Sequence, residues 1–138
     1  MDFSVTESLA AWEANAEFWD TQMGDNSNRF HREVVRPKVS QLLNVQASDF
    51  VLDIACGNGN YSAYMAAQGA DVVAFDYSET MILLAKKRQG NYLDKIEFCV
   101  ADATCPESLY KLKRNRKFTK AVSNMAIMDI TDIRCLWK

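Results

Sequence analysis

The sequence predicts an α/β fold, with an open parallel sheet wound by helices on both faces. Three observations carry this. Short, nearly continuous apolar runs recur at 50–54, 72–75, 96–100 and 120–124, as expected of strands buried on both faces. Segments of helical period separate these runs. Glycine, serine and proline punctuate the junctions. Parallel neighbours need a crossover, and a helix supplies it while covering one sheet face.

Residues ahead of 46 carry no strand signal. Ser4 and Glu7 have capping-box spacing, and Val5, Leu9, Trp12, Ala16 and Trp19 share one helical face. The turn-forming run Gly24-Asp25-Asn26-Ser27-Asn28 ends that helix. Phe30, Val34, Val35, Val39, Leu42 and Leu43 form a second helical pattern. Pro37 lies inside it and predicts a kink or break near Val35 and Arg36. We therefore read one domain, with a helical cap over residues 1–45 and an α/β core over 46–138.

Within the core, residues 61–68 read as a helix closed by Gly69. Ser78 caps the next helix, which carries Met81, Ile82, Leu83, Leu84 and Ala85 and ends at Gly90. Pro106 opens a weak helix bearing Leu109 and Leu112, and residues 130–137 begin a further helix.

Length and charge narrow the function. At 138 residues, 49% hydrophobic and 25% charged, the chain suits one soluble globular domain. A net charge of −2 gives no broad basic footprint, so no nucleic-acid partner is expected. The local cluster Lys111, Lys113, Arg114, Arg116, Lys117 and Lys120 reads as a solvated helix end and loop. Cys56, Cys99, Cys105 and Cys135 form no C-x-x-C pair and His31 is the lone histidine, which argues against a metal site. No run approaches the roughly 20 apolar residues of a membrane span, and no signal segment opens the chain. The expectation is a cytoplasmic protein with free thiols and no membrane partner.

Ligands of open α/β sheets bind beyond the carboxyl ends of the strands. Four features fall there. The loop Asp53-Ile54-Ala55-Cys56-Gly57-Asn58-Gly59 has two glycines two apart, which permit a tight turn and close backbone approach to a ligand. Asp76 ends the second strand, where a carboxylate can accept two hydrogen bonds from a ribose diol. Read alone, Asp76 and Ser78 would merely start a helix. Asp102, beyond the third strand, could accept from the exocyclic amine of adenine or could cap its own loop. Asn124 closes the fourth apolar run, as a ligand contact or as a turn residue.

Together these residues resemble the class I S-adenosylmethionine-dependent methyltransferases. The likeness runs from Phe50 to the chain end, with Val51-Leu52-Asp53-Ile54-Ala55-Cys56-Gly57-Asn58-Gly59 as the family's first motif. Ala55 stands where many members carry the first glycine. The resemblance implies a Rossmann-like sheet and S-adenosylmethionine as cofactor. It places Asp53, Ala55, Gly57 and Gly59 against the methionine and ribose, Asp76 and Tyr77 at the ribose, and Asp102 and Ala103 at adenine. Asn124 and Met125 border the transfer region. The stretch 12–20 resembles the cap helices of small-molecule methyltransferases. Trp19 joins the cofactor set from there, with Trp12 and Phe18 as pocket walls or ordinary core. Arg36 pairs with the cofactor carboxylate.

The resemblance accounts for four strands of a larger family sheet, so the core reads as truncated at its C-terminal side. The open edge of the fourth strand then invites self-association. No catalytic residue is assigned. His31 and Tyr61 are conceivable bases, and methyl transfer from a sulfonium asks the protein mainly to position the acceptor and exclude water. The expected activity is methyl transfer to a small-molecule acceptor. Two alternatives stay open: an NAD-binding oxidoreductase domain, whose fingerprint wants a third glycine where Ser62 stands, and an inert cofactor-binding fragment.

Overall fold

The computed structural model describes residues 5–124 and 126–137, leaving the side chain of Val5 aside. Ser4 and Met125 therefore lie outside the described residues. Helix α1 spans Val5–Met23. A π-helical turn, His31–Val35, runs directly into α2, Arg36–Leu43. The switch falls where Pro37 predicts a break. Proline has no N–H to return to the preceding turn, and the chain widens so that the Arg36 N–H reaches His31 O, five residues back.

The core follows as β1 Phe50–Ile54, α3 Asn60–Ala67, β2 Asp71–Asp76, α4 Glu79–Arg88, β3 Ile96–Val100, α5 Pro106–Tyr110 and β4 Lys120–Val122. The four strands are parallel in the order β3-β2-β1-β4. Strand alternation sends Val51, Val72, Ala74, Ile96, Phe98 and Val122 to one face, under Met65 of α3 and Ile82 of α4. Phe50, Val73 and Phe75 face the other way, against Ala101, Leu112 and Phe118. The sheet is thus covered on both faces, as expected.

The punctuation behaves as the sequence suggests at two helix ends. Ser78 accepts from the Met81 N–H at 3.1 Å, and Gly69 leaves α3 at φ +95. Three boundaries differ. β4 stops at Val122, short of Asn124. Leu112 is buried but lies past the end of α5. The expected helix over 130–137 is absent: only the 3₁₀ turns Ile127–Asp129 and Arg134–Trp137 form. Ile130 and Leu136 still pack on the sheet face, so their apolar spacing reports burial, not helix.

The basic cluster is largely engaged. Arg114 pairs with Glu97, Arg116 pairs with Asp71 and lies over the Phe50 ring, and Lys120 pairs with Asp49 at 2.8 Å. Hydrogen bonds from Lys120, the Gln46 N–H and Thr119 hold the Asp49 carboxyl down to about 2. Those contacts pin β4 to the loop that enters β1. The four cysteines are free thiols. Among the described residues no helix is long and apolar enough to cross a membrane.

Candidate functional site

A cleft opens over the carboxyl ends of the strands, lined from both the N-terminal helices and the α/β core. The cap walls one side with Trp12, Trp19, His31 and Arg36. The core supplies Asp53, Ala55, Gly57, Asp76, Tyr77, Asp102, Ala103 and Asn124. Residues predicted from distant stretches of sequence thus meet in one cavity because each follows a parallel strand or faces it from the cap.

The glycine loop is built by strain and by borrowed hydrogen bonds. The Cys56 N–H continues the β1–β2 ladder to Phe75 O at 2.9 Å. Ala55 and Gly57 both turn at positive φ, +56 and +58. Alanine at the first of these positions costs about 1–2 kcal/mol relative to an ordinary conformation. The Gly57 N–H donates to Asp76 Oδ2 and the Ser78 N–H to Asp76 Oδ1, both at 3.1 Å. Asp76 therefore joins the loop to the start of α4 while lining the cleft, and each of its oxygens retains acceptor capacity.

Gly59 departs from the expected set. It does not line the cleft. At φ +80 it caps α3, and a Cβ there would sit 2.7 Å from the Phe98 ring. Its role is close packing between loop and sheet. Phe18 likewise points to solvent, 64% exposed, whereas Trp12 and Trp19 meet edge-to-face at 5.8 Å inside the cleft wall.

Asp53 is buried to 2% exposure and accepts from Ser62 Oγ at 2.5 Å. Burial, reinforced by Asp76 and opposed by the Ser62 hydrogen bond, pushes its carboxyl up to about 7. Burial also raises Asp76, against the amides that stabilise its charge. Cys56 is pushed well up by burial and both carboxylates, so it is no nucleophile. Asp102 accepts at Oδ1 from the Thr104 N–H and hydroxyl, at 2.8 and 2.7 Å, which is its loop-capping role, and it lines the cleft as well. Arg36 donates to Ser27 Oγ at 3.3 Å and lies over the Tyr64 ring. His31 is held below its usual range by burial and by Arg36. The Tyr61 hydroxyl meets Ser40 Oγ at 3.3 Å. Asn124 Oδ1 is buried without a hydrogen-bond partner.

Sequence reasoning missed what docks the cap. Asn58 Nδ2 donates to Asp20 Oδ1 at 3.0 Å, and Asn60 Nδ2 donates to Gly24 O and Ser27 Oγ at 2.9 and 3.0 Å. Arg88 grips both Asp20 oxygens at 2.7 Å. Ser8 meets the Tyr77 hydroxyl at 2.6 Å, and Glu13 accepts from Thr80. Asparagines beside glycines signal turns in a sequence, and nothing local shows that their amides face another segment.

Comparison with known proteins agrees with this geometry. Residues 51–136 match the family described as Methyltransferase domain. A demethylmenaquinone methyltransferase of Clavibacter sepedonicus is 47% identical over 58 residues, which cover 42% of this chain and 23% of that protein. The 23S rRNA (uracil(1939)-C(5))-methyltransferase RlmD of Shewanella amazonensis is 40% identical over 74 residues, covering 51% and 17%. Among solved structures, an S-adenosyl-L-homocysteine complex of a SAM-dependent methyltransferase from Thiobacillus denitrificans superposes with a TM-score of 0.59 at 17% identity. That match covers 94% of this chain and 46% of the other, and it shows the shared fold. The chain thus spans about half the length of this structure, and the matched segments cover under a quarter of the two curated relatives. By its matched core and its sheet, the chain belongs to the methyltransferase domain family.

Proposed function

We propose that the cleft binds S-adenosylmethionine and that the chain is the cofactor-binding core of a methyltransferase acting on a small molecule. One observation carries the reading: the loop amide of Gly57 and the carboxylate of Asp76 are hydrogen-bonded together in the cleft over the strand ends. The residues fit the cofactor. Asp76 keeps acceptor capacity for a diol, Asp102 and Ala103 line the end of the cleft beyond β3, and the buried Asn124 Oδ1 lacks the donor that a ligand would bring. When bound, the cofactor supplies the electrophilic methyl group. The chain's own residues orient it and exclude water.

The nicotinamide alternative loses its footing in the family match and at Ser62, whose hydroxyl is committed to Asp53. A small acceptor is favoured by the cap, since Trp12 and Trp19 wall the cleft, and by the pairing of Arg114, Arg116 and Lys120 with carboxylates. The RNA substrate of one relative makes RNA the competing acceptor class. Self-association through the free edge of β4 belongs to the same reading, and a clean monomer in sedimentation at high concentration would refute it.

Calorimetry tests the cofactor. Both sulfur ligands should bind and NAD should not. Asp76→Ala should weaken S-adenosylhomocysteine about tenfold or more, from loss of hydrogen bonds to a charged acceptor worth about 1.5–3 kcal/mol. Unchanged affinity would remove Asp76 from the site, and tight NAD binding without a response to either sulfur ligand would overturn the proposal. Methyl transfer to any acceptor would exclude an inert fragment.

A further inference from the structure

The cleft is unbalanced in charge. Asp53 and Asp76 line its floor, both at least nine-tenths buried, and among the described residues neither pairs with a cation. Ser62 satisfies one oxygen of Asp53. Asp102 and Asp129 add acidic groups at the ends of the cleft beyond β3 and β4. Glu13 of α1 bears on Asp76 and is itself bonded to Thr80. Among the described residues the basic groups on the cleft wall are His31 and Arg36, on the cap, and burial together with Arg36 holds His31 below its ordinary range. The remaining titratable neighbours, Cys56, Tyr61 and Tyr77, are all pushed further toward their neutral forms.

We propose that Asp53, coupled to Asp76, makes the cleft read ligand charge: the sulfonium ligand binds with release of more of a proton from this pair than the thioether product, which lacks the sulfonium charge. This rests on the cofactor reading above. The consequence is a pH-tuned preference for cofactor over spent product, set by the protein and not by shape, since the two ligands differ by one methyl group and one charge.

The physical basis is the low polarisability of the cleft floor. A unit positive charge in a site shared with a buried carboxyl favours the ionised form. Free Asp53 titrates at about 7, because burial penalises its charge. Below that pH the carboxyl is protonated and offers little attraction. Binding a cation then expels the proton, so affinity for the cation climbs with pH and levels off above about 7. Affinity for the thioether, which shares the amino and carboxylate groups but lacks the sulfonium charge, climbs less steeply. Groups that respond to both ligands alike, such as His31 beside Arg36, cancel in the ratio of the two affinities.

The test is isothermal titration of the whole chain with S-adenosylmethionine and with S-adenosylhomocysteine at pH 6 and pH 8.5, each in two buffers of different ionisation enthalpy. For the wild type, the affinity ratio should rise several-fold toward high pH. Near pH 6 the sulfonium should release a fraction of a proton more than the thioether. In Asp53→Asn the rise should be much smaller than in the wild type, leaving only the contribution of Asp76. Ser62→Ala removes the hydrogen bond that stabilises the charged form, so its rise should move to higher pH. It serves as the second variant if Asp53→Asn does not fold. Binding of both ligands with a flat wild-type ratio and equal proton release would overturn this inference and leave the cofactor reading standing. Binding of neither would overturn both.

Discussion

The buried carboxyl of Asp53 should make the folded chain lose stability as pH rises through neutrality. The perturbation is pH itself, with Asp53→Asn as the control. In the folded state the group titrates at about 7, against an ordinary value of 3.8. Between those values the folded chain holds a proton that the unfolded chain has lost, so stability falls with pH. Above the folded value the slope vanishes. Three units at about 1.36 kcal/mol each give about 4 kcal/mol over the whole window, of which about 2.5 kcal/mol falls between pH 5 and pH 8. Burial is complete enough that solvent screening takes little from this figure. His31 acts with the opposite sign: its folded value is lowered, so it favours the folded state as pH rises through the unfolded value of 6.5. Asp49 and Asp20, both lowered, are ionised in either state above about pH 5 and drop out. Asparagine keeps an acceptor for Ser62 Oγ and removes the titration. Urea unfolding at half-unit steps of pH should therefore show the wild-type curve falling toward the Asp53→Asn curve or below it, the gap changing by about 2.5 kcal/mol. Parallel curves for the two proteins would refute the buried-carboxyl reasoning.

Three substitutions probe the loop and its latch. Gly59→Ala places a methyl against Phe98 at a positive φ, and the sum of backbone strain and overpacking should cost about 2–4 kcal/mol in urea unfolding. Ala55→Gly should instead stabilise the chain by up to about 1 kcal/mol. Relief of left-handed strain outweighs the added freedom of the unfolded chain, and a lowered unfolding midpoint would contradict the strained geometry. Arg88→Met strips Asp20 of its bidentate partner and should cost about 2–3 kcal/mol, less than a fully buried pair because both groups keep some exposure. The loss should shrink in an Asp20→Asn background, and full additivity of the two changes would show that the pair is not coupled.

The sheet was legible because its strands are short and buried on both faces. A run such as Val72-Val73-Ala74-Phe75 has no other stable use between Gly69 and Ser78. The cleft residues were legible for a related reason, since strand ends of a parallel sheet gather by topology and need no tertiary detail to be brought together. What escaped notice depends on contacts between segments far apart in the chain. Ala55 carries no mark of a positive φ, because alanine is at home in either of the common conformations. Gly59 looked like a ligand glycine, but only the position of Phe98 on the third strand shows that it is there for packing. Ser62 reads as a failed third glycine until its hydroxyl is seen against Asp53. The final stretch has helical spacing in Ile130 and Leu136, yet two 3₁₀ turns suffice to lay both on the sheet.

The docking of the cap has one further consequence. Asn58 of the glycine loop and Asn60, the first residue of α3, both line the cleft, and their amides hold Asp20, Gly24 and Ser27 of the cap. Gln89, at the end of α4, binds Asn58 O and Asn60 Oδ1 from behind, at 3.3 and 3.0 Å. Loop and cap therefore cannot separate without leaving buried amide groups unpaired, which costs about 1–3 kcal/mol per group. A ligand that binds the folded loop at a hundred times its dissociation constant stabilises it by about 2.7 kcal/mol against opening. If the latch transmits that energy, hydrogen exchange of amides at 20–27 should slow on addition of S-adenosylhomocysteine by a factor close to that at 56–60. In Asn60→Ala the two factors should part, with the loop still protected and the cap released. Equal protection of the cap in wild type and variant would show that the cap holds without the Asn60 amide, through its other contacts.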